Sequence, residues 1–86
     1  MKKYLIIYSS DEYKRIVARI KTFKEYTRVK YRVWCVQTEI EKATEVRDRF
    51  DDVREPGDLL MVIDITNSPW AAANLPTDTV YWLKEK

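Results

Sequence analysis

An α+β domain built on one antiparallel sheet is what this sequence predicts, and three observations carry that expectation. Two stretches, "KYLIIY" near the start and "DLLMVIDIT" past the middle, are apolar on both faces, as buried strands are. Between them lie two stretches whose apolar residues recur at three- and four-residue spacing, the mark of amphipathic helices. A third stretch, "TRVKYRVWCVQT", alternates residue by residue, which is the side-chain period of a strand. With 86 residues, 45% of them apolar and 13% aromatic, the chain has enough apolar mass for one compact core, so a single domain over 1–86 is expected.

The elements follow in order. "KYLIIY" (3–8) reads as the first strand. From Asp11 to about Tyr26, the residues Tyr13, Ile16, Val17, Ile20 and Phe23 form an apolar stripe, with Lys14, Arg15, Arg19, Lys21 and Lys24 on the other faces of that helix. In 27–38, Val29, Tyr31, Val33 and Cys35 fall on one side, and Arg28, Lys30, Arg32, Trp34 and Val36 on the other, as in one strand or two joined by a tight bend. Thr38 followed by Glu41 spells a capping box, and Ile40, Ala43, Val46, Phe50 and Val53 give the stripe of a second helix. Proline and glycine in "REPGD" end it, and "DLLMVIDIT" (58–66) is the last strand. The tail "NSPWAAANLPTDTVYWLKEK" begins as a loop and closes with a short helix from about Thr77, within residues 76–86.

Strand, helix, strand pair, helix, strand is the βαββαβ order. Right-handed crossovers then favour a ferredoxin-like antiparallel sheet with two helices on one face and a C-terminal tail helix added. Both faces of the first and last strands are apolar, yet two helices cover only one. A second copy of the chain is expected to cover the remainder, through Tyr4, Ile6, Tyr8, Trp34, Val36, Leu60 and Val62.

Charge is uneven. Residues 1–32 carry ten Lys/Arg against three Asp/Glu, whereas residues 33–86 carry six against eleven. One reading is two solvated surfaces of opposite sign. The other is a basic half that faces DNA or RNA, with Lys14, Arg15, Arg28, Lys30 and Arg32 as the contacts and Trp34 as a stacking platform. Histidine is absent and cysteine occurs once, which excludes a serine or cysteine nucleophile with a histidine base and argues against zinc. No cofactor is expected. The apolar run "YLIIY" is too short for a signal core or a membrane span, so a cytoplasmic location with no membrane contact is expected.

"KYLIIY", then "TRVKYRVWCVQTEI" leading into a helix that ends "VRDRF", resembles the CRISPR-associated Cas-two family. The tail "DLLMVIDIT…WAAANLP…WLKEK" looks more like the SinR-like branch of Cas-two-related proteins. The resemblance spans nearly the whole chain. It implies a ferredoxin-like homodimer with sheets facing and, often, nucleic-acid contact. Some members of that family are metal-dependent nucleases that use an aspartate directly after the tyrosine ending the first strand. Here Tyr8 is present, but the next residue is Ser9.

A metal-dependent phosphodiesterase needs carboxylates to hold its cation. In "YSSD", Asp11 offers one, and Mg²⁺ or Mn²⁺ would be needed only on that reading. The simpler reading is a helix start, with Ser9 and Glu12 as an S-x-x-E capping box and Asp11 facing the helix dipole. Asp64 is expected to be hydrogen-bonded at a strand end, Cys35 to be a small core residue, and Trp70 and Trp82 to anchor the tail. Three functions stay open. They are a non-catalytic Cas-two-like homodimer that binds nucleic acid or scaffolds a nucleoprotein complex, a phage or mobile-element accessory protein that binds and inhibits a host protein, and a metal-dependent endonuclease.

Overall fold

The computed structural model describes all residues, 1–86. The elements run β1 (Lys2–Ser9), α1 (Tyr13–Ile20), β2 (Glu25–Lys30), β3 (Val33–Thr38), α2 (Ala43–Asp48), β4 (Leu59–Asp64) and α3 (Thr77–Glu85). The four strands form one sheet in the order β2-β3-β1-β4, and every neighbouring pair is antiparallel. β2 and β4 are therefore the edges. No helix is long and apolar enough to cross a membrane.

Strand alternation decides which side chains meet the helices. Register pairs Tyr4 with Val36, Ile6 with Trp34 and Val62, and Tyr8 with Leu60, so these residues share one face. That face packs with Ile16, Ile20 and Phe23 from α1 and its exit, and with Val46 and Phe50 from α2 and its exit. Phe23 and Phe50 stack with ring centroids 6.1 Å apart, which ties the two helical arms together over the sheet. Full burial of an Ile or Phe side chain contributes roughly 1.5–3 kcal/mol, so this cluster dominates the stability of the domain.

The residues expected at a dimer interface are thus placed differently. Tyr4, Ile6, Tyr8, Trp34 and Val36 are buried in the core of one chain, and Leu60 and Val62 pack against it. Strand parity gives two apolar faces, but which of them the helices cover is decided by the crossovers.

Both helices are shorter than their stripes. α1 ends at Ile20, not near Tyr26, because the chain tightens through N–H to carbonyl bonds from Thr22 to Arg19 and from Phe23 to Ile20. Phe23 still reaches the core, while Tyr26 enters β2 opposite Val36. α2 likewise passes after Asp48 into three-residue turns that carry Phe50 and Val53 inward. "EPGD" makes a tight turn in which the Asp58 N–H donates to the Glu55 carbonyl at 3.0 Å. Pro56 holds the second position, and Gly57, at φ 91°, supplies the left-handed third position that a side chain would resist.

The opposite sheet face is half covered. Thr79 of α3 is buried and donates its hydroxyl to the Arg28 carbonyl at 2.6 Å, closing the tail onto edge strand β2. Beneath the tail, Leu5, Val29 and Cys35 from the sheet meet Trp70, Leu75 and Leu83 around an apolar cavity of about 250 Å³. Leu59, Met61 and Ile63 on edge strand β4 remain 52%, 54% and 40% exposed.

Candidate nucleic-acid interface

Folding redistributes the basic half of the sequence. Arg15 pairs with Glu55 at 3.1 Å, Arg19 grips both carboxylate oxygens of Asp52 at 2.8 and 2.9 Å, and Lys2 reaches Asp64 at 3.5 Å. The acidic second half therefore neutralises the α1 face that looks toward α2. Arg15, expected among the nucleic-acid contacts, is thus an exposed member of an ion pair with Glu55. The Arg19 pair also holds the Asp52 carboxyl below the usual carboxylate range.

Several cations stay without a carboxylate partner, Lys3, Lys42, Arg49 and Lys84 among them, and one group of these lies around the β2–β3 hairpin and the adjacent flank of α1. Lys14, Lys21, Lys24, Arg28, Lys30 and Arg32 make no ion pair. Lys21, Arg28, Lys30 and Arg32 are brought together by the folding of α1 beside the hairpin. Lys14 is exposed on α1 but does not line the groove described next.

Between α1 and the hairpin runs a groove of about 310 Å³ lined by Tyr8, Tyr13, Val17, Lys21, Arg28, Tyr31 and Trp34. Tyr8 and Trp34 are almost buried, at 3% and 8% exposure, and form its floor. Tyr13 and Tyr31 stand in its walls and are 41% and 57% exposed. Lys21 lies with its ammonium 6.0 Å from the Trp34 ring centroid, within reach of a cation–π attraction. Tyr26 tilts against the same indole, centroids 6.1 Å apart.

The hairpin turn fixes Tyr31. Tyr31 and Arg32 join β2 to β3, and Arg32 takes φ 69°, a left-handed conformation that costs a non-glycine residue roughly 1 kcal/mol. Three contacts offset this. The Arg32 guanidinium lies 4.9 Å from the Tyr31 ring, it donates to the Ser9 hydroxyl at 3.0 Å, and the Arg32 carbonyl accepts the Tyr8 N–H at 3.1 Å. A bulge between Arg28 and Lys30 also breaks the strict alternation expected of this stretch. A second, more open concavity of about 660 Å³ lies on the tail side of the hairpin. It shares Arg28 and Tyr31 with the groove and adds Thr27, Lys30, Asn74 and Asp78.

The junction "YSSD" is organised by Ser10. Its hydroxyl accepts the Glu12 N–H at 3.0 Å and donates to the Asp58 carboxylate at 2.7 Å, whereas Glu12, at the N-cap of α1, makes no side-chain cap bond. The expected Ser9–Glu12 capping box is replaced by this link from β1 to the turn before β4. Ser9 instead accepts from Arg32. The Asp58 carboxyl is held below its usual range, first by the Ser10 hydroxyl and then by the Glu55 N–H. The capping box expected at Thr38 and Glu41 is likewise displaced, since α2 begins after Lys42 and Thr38 accepts the Ile40 N–H.

Asp64 sits at the end of β4 and accepts the Thr66 N–H at 2.9 Å, which lowers its carboxyl, with Lys2 adding to the effect. No three His, Cys, Asp or Glu side chains converge on one point. Cys35 lies in the layer between sheet and tail, and burial pushes its thiol up to about 11.

Sequence reading missed Tyr13, Tyr31 and Lys21 as partners in one place. Tyr13 and Tyr31 looked like core positions by periodicity, and only the spatial closeness of α1 to the hairpin groups them. No protein-family model, no curated protein and no solved structure matches this chain. What it does is therefore read from its own side chains.

Proposed function

We propose that this chain is a non-catalytic, Cas-two-like protein of ferredoxin-like fold that binds nucleic acid as a cytoplasmic homodimer. The observation that carries the reading is the cation cluster Lys21, Arg28, Lys30 and Arg32, free of carboxylate partners, beside exposed tyrosines. Cations left unpaired next to aromatic rings are what a phosphate backbone with bases requires. The sheet order β2-β3-β1-β4 with antiparallel neighbours supports the ferredoxin-like assignment. Ser9, tied to Arg32 where the resembling family carries its aspartate, supports the absence of nuclease chemistry. The exposed row Leu59, Met61 and Ile63 supports a second copy at the β4 face.

Titration of DNA and RNA at about 50 and 200 mM salt tests this, because phosphate binding weakens steeply over that range. Alanine at Lys21, Arg28 and Lys30 together is expected to reduce binding to all sequences and to lower the salt slope by about 1 per lost phosphate contact. The fold survives, since exposed charges contribute roughly 0–1 kcal/mol each. Normal binding by that variant overturns the assignment. A second reading, a module that binds and inhibits a host protein, is favoured by the same apolar row on β4 if the chain proves monomeric.

A further inference from the structure

We infer that the groove between α1 and the β2–β3 hairpin holds an unpaired nucleobase, so that the protein selects single-stranded over duplex nucleic acid; this rests on the nucleic-acid reading above. The groove has the form such a ligand needs. Trp34 and Tyr8 make an aromatic floor held rigid by the core, while Tyr13 from α1 and Tyr31 from the hairpin offer exposed rings at its sides. At about 310 Å³ it is near the lower bound of small-ligand clefts, a size suited to one planar ring rather than a helix or a strand pair.

The polar groups sit where a base must be flanked by phosphates. Lys21 and Arg28 line the groove itself. Arg28 and Tyr31 also line the neighbouring concavity, where Lys30 and Thr27 continue the polar surface. A single strand can thus place a base on one side of the hairpin ridge and its backbone across Arg28 to the other. Asp78 is the one carboxylate that lines that second concavity. Arg32 lies against Tyr31 and fixes the ring's orientation before any ligand arrives, which lowers the ordering cost of binding. Bases within a duplex are stacked and paired, and extracting one costs a few kcal/mol, so a slot for a single ring discriminates against duplex.

Fluorescence anisotropy with a labelled single-stranded oligonucleotide, the blunt duplex of the same sequence and an abasic strand of equal length tests the inference. Wild type is expected to bind the single strand more tightly than the duplex. Tyr31→Ala and Tyr13→Ala each weaken single-strand binding by roughly 5- to 150-fold, the range of one lost stacking contact. Tyr31→Phe keeps the ring and stays close to wild type, and both alanine variants lose far more single-strand affinity than duplex affinity. The abasic strand binds wild type as weakly as the normal strand binds the variants. If single strand and duplex bind alike and the folded tyrosine variants match wild type, base stacking in the groove is overturned while nucleic-acid binding stands. If wild type binds neither at low salt, both readings fall.

Discussion

Ser10 shows how one side chain can serve two elements. Its hydroxyl satisfies an N–H at the start of α1 and reaches the turn before β4, so a contact local in sequence and one spanning 48 residues share an oxygen. Ser10→Ala leaves the Glu12 N–H without that acceptor and is expected to cost roughly 1 kcal/mol in denaturant unfolding. The pH dependence follows from Asp58. Its carboxyl is lowered on folding, so its contribution is fully present above the ordinary carboxylate range, near pH 4, and is lost as pH falls through the lower folded value. Wild-type stability therefore declines on the acid side, and in Ser10→Ala this decline is shallower. Equal acid-side slopes in the two proteins would show that Ser10 does not set the Asp58 carboxyl.

Among the elements, the tail is the one whose place is decided by few contacts. α3 is held to β2 by the Thr79 hydroxyl, by Lys86 to Glu25 at 2.8 Å, and by the apolar layer of Trp70, Leu75 and Leu83. Cys35 lies under that layer and reports on it. With its thiol pushed to about 11, native protein is expected to resist alkylation at pH 8. Thr79→Val removes the donor but keeps the volume, and is expected to raise the labelling rate several-fold while the sheet and core stay folded by circular dichroism. Labelling of wild type as fast as unfolded chain would mean that the tail does not cover Cys35. The hairpin works in the opposite sense: it is anchored at Ser9, at Tyr8 and through Tyr31, so its strained residue is held and Tyr31 is presented in one orientation.

At the scale of the whole molecule, the sheet is layered unequally. Helices α1 and α2 close most of one face, the tail closes part of the other, and edge strand β4 keeps three large apolar side chains in water. A second copy of the chain, as proposed, would cover this row. Wild type is expected to be a dimer in light scattering at micromolar concentration, and Met61→Lys to be a folded monomer, since position 61 faces away from the core. A monomeric wild type would overturn the dimer, and a dimeric Met61→Lys would move the interface elsewhere. Charge is layered as unequally as the sheet. The acidic second half neutralises α1 on its inner flank, while Lys21, Arg28, Lys30 and Arg32 around the hairpin keep no carboxylate partner.

The sequence by itself determined the elements, because periodicity is a local property. Two-faced apolar runs became β1 and β4, the alternating run became β2 and β3, the two stripes became α1 and α2, and "TDTVYWLKE" became α3. It also determined the turn at Pro56 and Gly57, where backbone dihedral preference leaves little choice. Only the tertiary structure decided which face of the sheet is core, since strand parity sorts residues into two sets without saying which set the helices cover. That is why Tyr4, Ile6, Tyr8, Trp34 and Val36 are buried under helices, and the open apolar surface is Leu59, Met61 and Ile63. It alone decided the helix ends, where three-residue turns let Phe23 and Phe50 reach the core while the chain left helical geometry. The candidate site was half legible. Arg28, Lys30, Arg32 and Trp34 stand together in sequence, but Tyr13 and Lys21 join them through packing between α1 and the hairpin, and Arg15 leaves them through an ion pair with Glu55. Contacts between residues distant in the chain depend on how the elements pack, and a periodicity read along one segment carries no information about its neighbour in space.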